Sequence, residues 1–151
     1  MNELDPSTRA PRPVFRNINA FKDLPSYRLP LAGWVSILHR ISGALMFLLL
    51  PFIIWMFDMS VSSEISYARM MHAFGAVGSG WLLKLIALAL IWAYLHHLIA
   101  GLRHLWMDMS HDAVSKEFGR SSAATTLVVS ILLTLALGAK LFGLYLSLIH
   151  I

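Results

Sequence analysis

Three long apolar runs divide the chain. The first extends from about Leu31 to Phe57, and its only ionisable side chains are His39 and Arg40, before a final Asp58. The second, from about Trp81 to Met107, carries Lys84, His96, His97, Arg103 and His104. The third, from about Ala123 to Ile149, holds Lys140 as its only charge. Each exceeds the roughly 20 residues a helix needs to cross the hydrocarbon core. In lipid, a helix satisfies its own backbone. The pattern therefore predicts an all-α integral membrane fold. It has three transmembrane helices over about 31–57, 81–107 and 123–149, within a domain covering 31–151. Pro51 is expected to kink the first.

The remaining segments are short and polar. Residues 1–30, with Pro6, Pro11, Pro13, Pro25 and Pro30, read as an irregular arm, with a short amphipathic helix expected around Phe15–Phe21. Asp58–Gly80 is a loop with room for a short helix over Ser63–Phe74, and Asp108–Arg120 reads as a tight polar connection. The arm holds Arg9, Arg12, Arg16, Lys22 and Arg28, and the second loop Lys116 and Arg120, whereas the first loop offers only Arg69. The positive-inside rule then puts the N-terminus and second loop on the inner face. Without an apolar N-terminal stretch, no cleavable secretory signal is expected. The short inner loops and the lack of a transit peptide favour a bacterial inner membrane over a mitochondrial one.

Composition narrows the chemistry. Hydrophobic residues make up 58% and charged residues 13%, against about a quarter charged in soluble domains. There is no cysteine among the 151 residues. This excludes disulfides, thiolate zinc sites, protein-ligated iron–sulfur clusters and covalently attached haem. Any metal must be held by histidine or carboxylate. The net charge of +4 gathers at the ends of the apolar runs. It marks topology and not nucleic-acid binding.

With that topology, helices one and two run antiparallel, and Arg40 and His97 both fall about 10–15 Å into the inner half of the membrane. In "SILHRISG", Ser36, His39, Arg40 and Gly43 share one helical face, and in "HHLIAGLRHLWMD" His97, Ala100, Gly101, His104 and Asp108 share another. His97 and His104 flank a patch nearly free of side chains, against which a flat macrocycle could lie with one imidazole on its metal. His96 and Arg103 fall on an adjacent face. Intramembrane ionisable residues suggest function by default. Simpler readings stand beside this one. Arg40 can snorkel and anchor its helix. His39 reads as well as a hydrogen-bonded packing residue, and His97 as polar glue between helices. Lys84 and Lys140 read as anchors, His72 and His150 as surface residues, and the scattered methionines as filler. Ser36 and Arg40 offer a neutral and a charged donor one turn apart, suited to a carbonyl oxygen or a carboxylate.

These two blocks, with Arg12-Pro13 upstream, resemble the cytochrome b556 membrane-anchor subunit of succinate dehydrogenase, the enzyme also called respiratory complex II. The resemblance covers about residues 12–145. It implies one b-type haem, held with a second small membrane-anchor subunit. His97 would be one axial ligand and a histidine of that partner the other. It also implies a flavoprotein and an iron–sulfur subunit on the inner face, and ubiquinone reduction at Ser36 and Arg40. Ser36 would donate to a quinone carbonyl, and Arg40 would stabilise negative charge as the quinone is reduced. Arg40, His39 and His104 could meet the haem propionates. Gly43 and Gly101 would permit close approach. With no flavin motif, no GxGxxG and no cluster cysteines, the chain would contribute only the quinone-reducing half-site. Three alternatives differ in kind. One is a haem-free structural anchor. Another is a fumarate reductase-type anchor, although a diheme version needs four well-placed histidines. The third is a small transporter, against which the lack of an inverted repeat argues.

Overall fold

A computed structural model describes residues 19, 21–23, 27–110 and 112–144. Arg12-Pro13, most of the helix expected at 15–21, residues 145–149 of the third expected span, and His150 lie outside them.

The first apolar run forms two helices, α1 (Leu31–Leu48) and α2 (Leu50–Val61), and not one. The break at Leu49 (φ −92°, ψ 8°) precedes Pro51 in the first turn of α2. Proline has no N–H, so the Phe47 carbonyl loses its partner one turn upstream and the helix opens there. The bonds from Leu49 N to Leu45 O and from Ile53 N to Leu49 O, both 3.0 Å, carry the chain across the break.

Helix α3 (Glu64–Gly75) lies within one residue at each end of the short helix expected from sequence. Ser63 caps it: its hydroxyl accepts from Ser66 N at 3.1 Å, and Ser66 Oγ accepts from Ser63 N at 2.9 Å. Helix α4 (Ser79–Met109) runs 31 residues, about 46 Å. It starts after Gly78, whose φ of +86° favours glycine. A 3-10 turn (Asp112–Val114) leads to α5 (Lys116–Leu141). Helix α5 starts seven residues before the apolar run does. Ser115 caps it by accepting from Phe118 N, and Glu117 sits favourably in its first turn. Hydropathy marks where lipid is crossed, whereas caps mark where a helix begins. Among the described residues, three helices, α1, α4 and α5, are long and apolar enough to cross a membrane, and no strand occurs.

Helix α4 is central, with α1 on one side and α5 on the other, and α1 also touches α5. Their junction is built from small side chains, with Val35, Ala100 and Ala123 as the packed cluster. Small residues let helices approach closely in lipid, where no hydrophobic force draws them together. Large apolar side chains such as Phe47, Leu102 and Leu135 lie outward. Past Leu49, α2 packs on α3 and not on α4. The gap holds an apolar cavity of about 700 Å³, where Met46, Met56, Met70 and Met71 come together with Lys84 at its edge. These methionines are scattered along the sequence, and folding gathers them.

Candidate functional site

The site begins with one hydrogen bond between two spans. His97 Nδ1, on α4, lies 3.1 Å from the backbone carbonyl of His39, on α1. A carbonyl only accepts, so Nδ1 carries a proton, and in the neutral ring His97 Nε2 is then the nitrogen with the free lone pair. Ser42 supports the same point. Its hydroxyl donates to the His39 carbonyl at 2.8 Å, and its oxygen lies 3.3 Å from His97 Nδ1. Ser42 is completely buried.

Two neighbouring imidazoles complete the group. His39 stacks on His97, with ring centroids 4.0 Å apart and planes 19° from parallel. His104, two turns along α4 from His97, tilts against His39 at 5.2 Å. The glycines make the room. A Cβ on Gly43 would stand 3.0 Å from His97 Cε1, and one on Gly101 would stand 3.6 Å from His39 Nε2. The sequence suggested that the Gly101 patch receives a macrocycle. In this structure the patch faces the His39 side chain.

Ser36 and Arg40 stand apart from this cluster. By rotation along α1 they lie about 60–100° around from His39, on the open flank of the helix. Ser36 is half-buried and Arg40 exposed. Among the described residues neither side chain makes a hydrogen bond to another group. Arg40, His39 and His97 do share one level of the bundle, because His39 bridges them.

The adjacent face of α4, about 100° around, carries a second polar set, whose members stand out in the sequence without a role attached. His96 is fully buried, with Nδ1 3.3 Å from Ser130 Oγ of α5 and its ring stacked on Trp92 at 5.5 Å. His96 Nε2 has no hydrogen-bond partner among the described residues. Two turns on, Arg103 donates from Nε to Ser122 Oγ at 2.9 Å and from its terminal nitrogen to the Gly119 carbonyl at 3.3 Å. Ser130 belongs to a buried stripe, Thr126, Ser130, Thr134 and Gly138, spaced four apart, and the half-buried Ser122 stands one step before it. That spacing was legible in the sequence. Lys84 Nζ sits 5.8 Å from the Phe142 ring centre, and His72 is exposed.

No group of three or more histidine, aspartate or glutamate side chains among the described residues converges on a metal position. The His39–His97 stack explains this. Face-to-face rings point their nitrogens alongside each other and not at a shared atom between them.

An all-helical integral membrane protein with imidazoles gathered between two spans is the class these features define. The matches to known proteins narrow it. Residues 11–137 match the family model described as succinate dehydrogenase/fumarate reductase transmembrane subunit. The succinate dehydrogenase cytochrome b556 subunit of Coxiella burnetii is 36% identical over 108 residues, covering 72% of this chain and 83% of that one. The same subunit of Paracoccus denitrificans is 35% identical over 101 residues, covering 67% and 75%. That of Rickettsia felis is 25% identical over 130 residues, covering 86% and 98%. The chain belongs to the family of transmembrane subunits of succinate dehydrogenase and fumarate reductase. It is therefore a membrane component of an oxidoreductase complex.

Proposed function

We propose that this chain supplies half of a haem b site and half of a quinone-reducing site in a succinate:quinone oxidoreductase of a bacterial inner membrane, with its N-terminus cytoplasmic. The carrying observation is the His97–His39 carbonyl bond of 3.1 Å. A histidine that donates one ring N–H to a carbonyl has its tautomer and orientation fixed and its other nitrogen made a better ligand. The donor set suits haem b, since a cysteine-free chain with one neutral, oriented imidazole can offer an axial ligand but no covalent attachment. His39, stacked beside His97, is badly directed to be the second ligand. This supports a second axial histidine from another small membrane subunit.

When bound, the haem supplies one-electron storage beside the quinone. The chain's own residues do the rest. His97 would hold the group through Nε2, with Ser42 and the His39 carbonyl keeping its ring from turning. His39, His104 and Arg40 would offer donors or positive charge to its carboxylates. Ser36 would donate a hydrogen bond to a quinone carbonyl. Arg40 would stabilise the negative charge that builds on the quinone oxygen during reduction. An unpaired guanidinium on the flank of a membrane helix is costly, and cover by the other subunits or by substrate relieves that cost. Electrons would arrive from an iron–sulfur subunit fed by a flavoprotein.

Two variants test the reading. His97→Ala in the purified complex should lose the b-type absorption band, with the other subunits still assembled; an unchanged spectrum removes His97 as ligand. If the wild-type complex itself shows no such band, the chain is a haem-free anchor. Arg40→Ala should impair quinone reduction while succinate oxidation with an artificial acceptor persists. Equal loss of both would point to failed assembly instead.

A further inference from the structure

Apolar packing fixes the rotation of helix α4 only coarsely, by keeping its alanines against the neighbouring helices. Its outer surface is leucine-rich, with Leu82, Leu85, Leu98, Leu102 and Leu105 exposed, and its inner surface is mostly alanine. In lipid, turning such a helix by a fraction of a turn changes apolar burial little. Yet His97 must face one direction. A 20° rotation at about 6 Å from the axis moves a side chain by about 2 Å. That would break the 3.1 Å bond to the His39 carbonyl.

The directional contacts that refine the rotation lie on the adjacent face of the helix, about 100° around from His97. His96 bonds Ser130, and Arg103 bonds Ser122 and the Gly119 carbonyl. His96 and Arg103 are two turns apart on α4, and Ser130 and Ser122 are a little over two turns apart on α5. Two fastenings at that separation fix both rotation and axial register. We propose that His96, Ser130 and Arg103 are positioning residues: they set the rotation of α4 so that the adjacent His97 presents Nε2 toward its ligand site. The proposal rests on the reading of His97 as an axial ligand. His96 is a costly choice for stability alone: its ring also approaches the Val35 backbone of α1, yet its buried Nε2 makes no hydrogen bond of good geometry among the described residues. An apolar residue of similar size would remove that buried nitrogen, and the Ser130 hydroxyl left behind keeps its bond to the Leu127 carbonyl. Its contribution is direction.

The test uses the assembled complex, read by electron paramagnetic resonance of the oxidised haem, whose low-field g-value follows the orientation of the axial imidazole, and by haem per flavin. Ser130→Ala and His96→Leu should assemble at normal yield with a shifted and broadened low-field line. His96→Asn, whose amide can reach Ser130 from the Nδ1 position, should restore the wild-type line. A wild-type line in both Ser130→Ala and His96→Leu overturns the proposal. So does a shift in His96→Leu that His96→Asn fails to rescue, which would assign the effect to packing. If His96→Leu does not assemble, Ser130→Ala decides, since it deletes a single oxygen. His97→Ala is the reference: if it keeps the haem line, the ligand reading has failed and the positioning claim with it. If it loses the line while Ser130→Ala is unchanged, only the positioning claim has failed.

Discussion

Adding one methyl group at Gly43 tests the bond on which the site depends. A Cβ there would stand 3.0 Å from His97 Cε1 and 3.4 Å from its Nδ1. Comfortable carbon–carbon contact is about 3.5 Å, so the ring must retreat by about 0.5 Å. Taken along the bond to the His39 carbonyl, that retreat stretches 3.1 Å to about 3.6 Å, beyond hydrogen-bonding range. The loss is about 0.5–1.5 kcal/mol, or about 2–12-fold in haem retention. Exchanging glycine for alanine inside a helix returns up to about 1 kcal/mol of helix stability. Gly43→Ala should therefore leave thermal unfolding of the complex nearly unchanged while lowering its haem-to-flavin ratio after prolonged detergent washing. A ratio and spectrum identical to wild type, in a preparation where His97→Ala is haem-free, would refute the reasoning.

Other substitutions separate the site from its scaffold. Ser42→Ala removes the hydroxyl beside His97 Nδ1 and should loosen haem by a few-fold in the same washing assay, at about 1 kcal/mol. Gly80→Ala would put a Cβ 2.5 Å from the Phe74 carbonyl. It should force α3 from α4, costing about 1–3 kcal/mol, and lower the unfolding temperature without altering the haem spectrum. Ser63→Ala deletes the α3 cap and should cost about 1 kcal/mol. Faster amide exchange at Ser66 would report it, with quinone reduction unaffected.

Much of this was legible before any coordinates. Length and hydropathy identified three spans because lipid leaves the backbone few choices. Of the i, i+3, i+4, i+7 set in "SILHRISG", His39 and Gly43 meet the face of His97, Gly101 and His104, whereas Ser36 and Arg40 lie on the open flank. What escaped has physical causes. Pro51 signalled a kink, and the chain breaks fully there, at Leu49; the start of α5 at Lys116 is set by the Ser115 hydroxyl, which hydropathy does not weigh. The partner of His97 is a backbone carbonyl, and no residue type announces a carbonyl. Nothing in the sequence sets Ser42 apart from a packing residue. His96 and Ser130 meet only because α5 turns its hydroxyl stripe inward, which depends on how three helices are assembled.

Two overlapping heptads run through the C-terminal half of α4: His96 with Arg103 toward α5, and His97 with His104 toward α1. A single residue inserted between positions 97 and 103 would swing the downstream pair about 100° and disengage both. Evolution can lengthen this helix at its tips, or by whole heptads at about 20° of drift. Between those positions, its length is as constrained as its side chains.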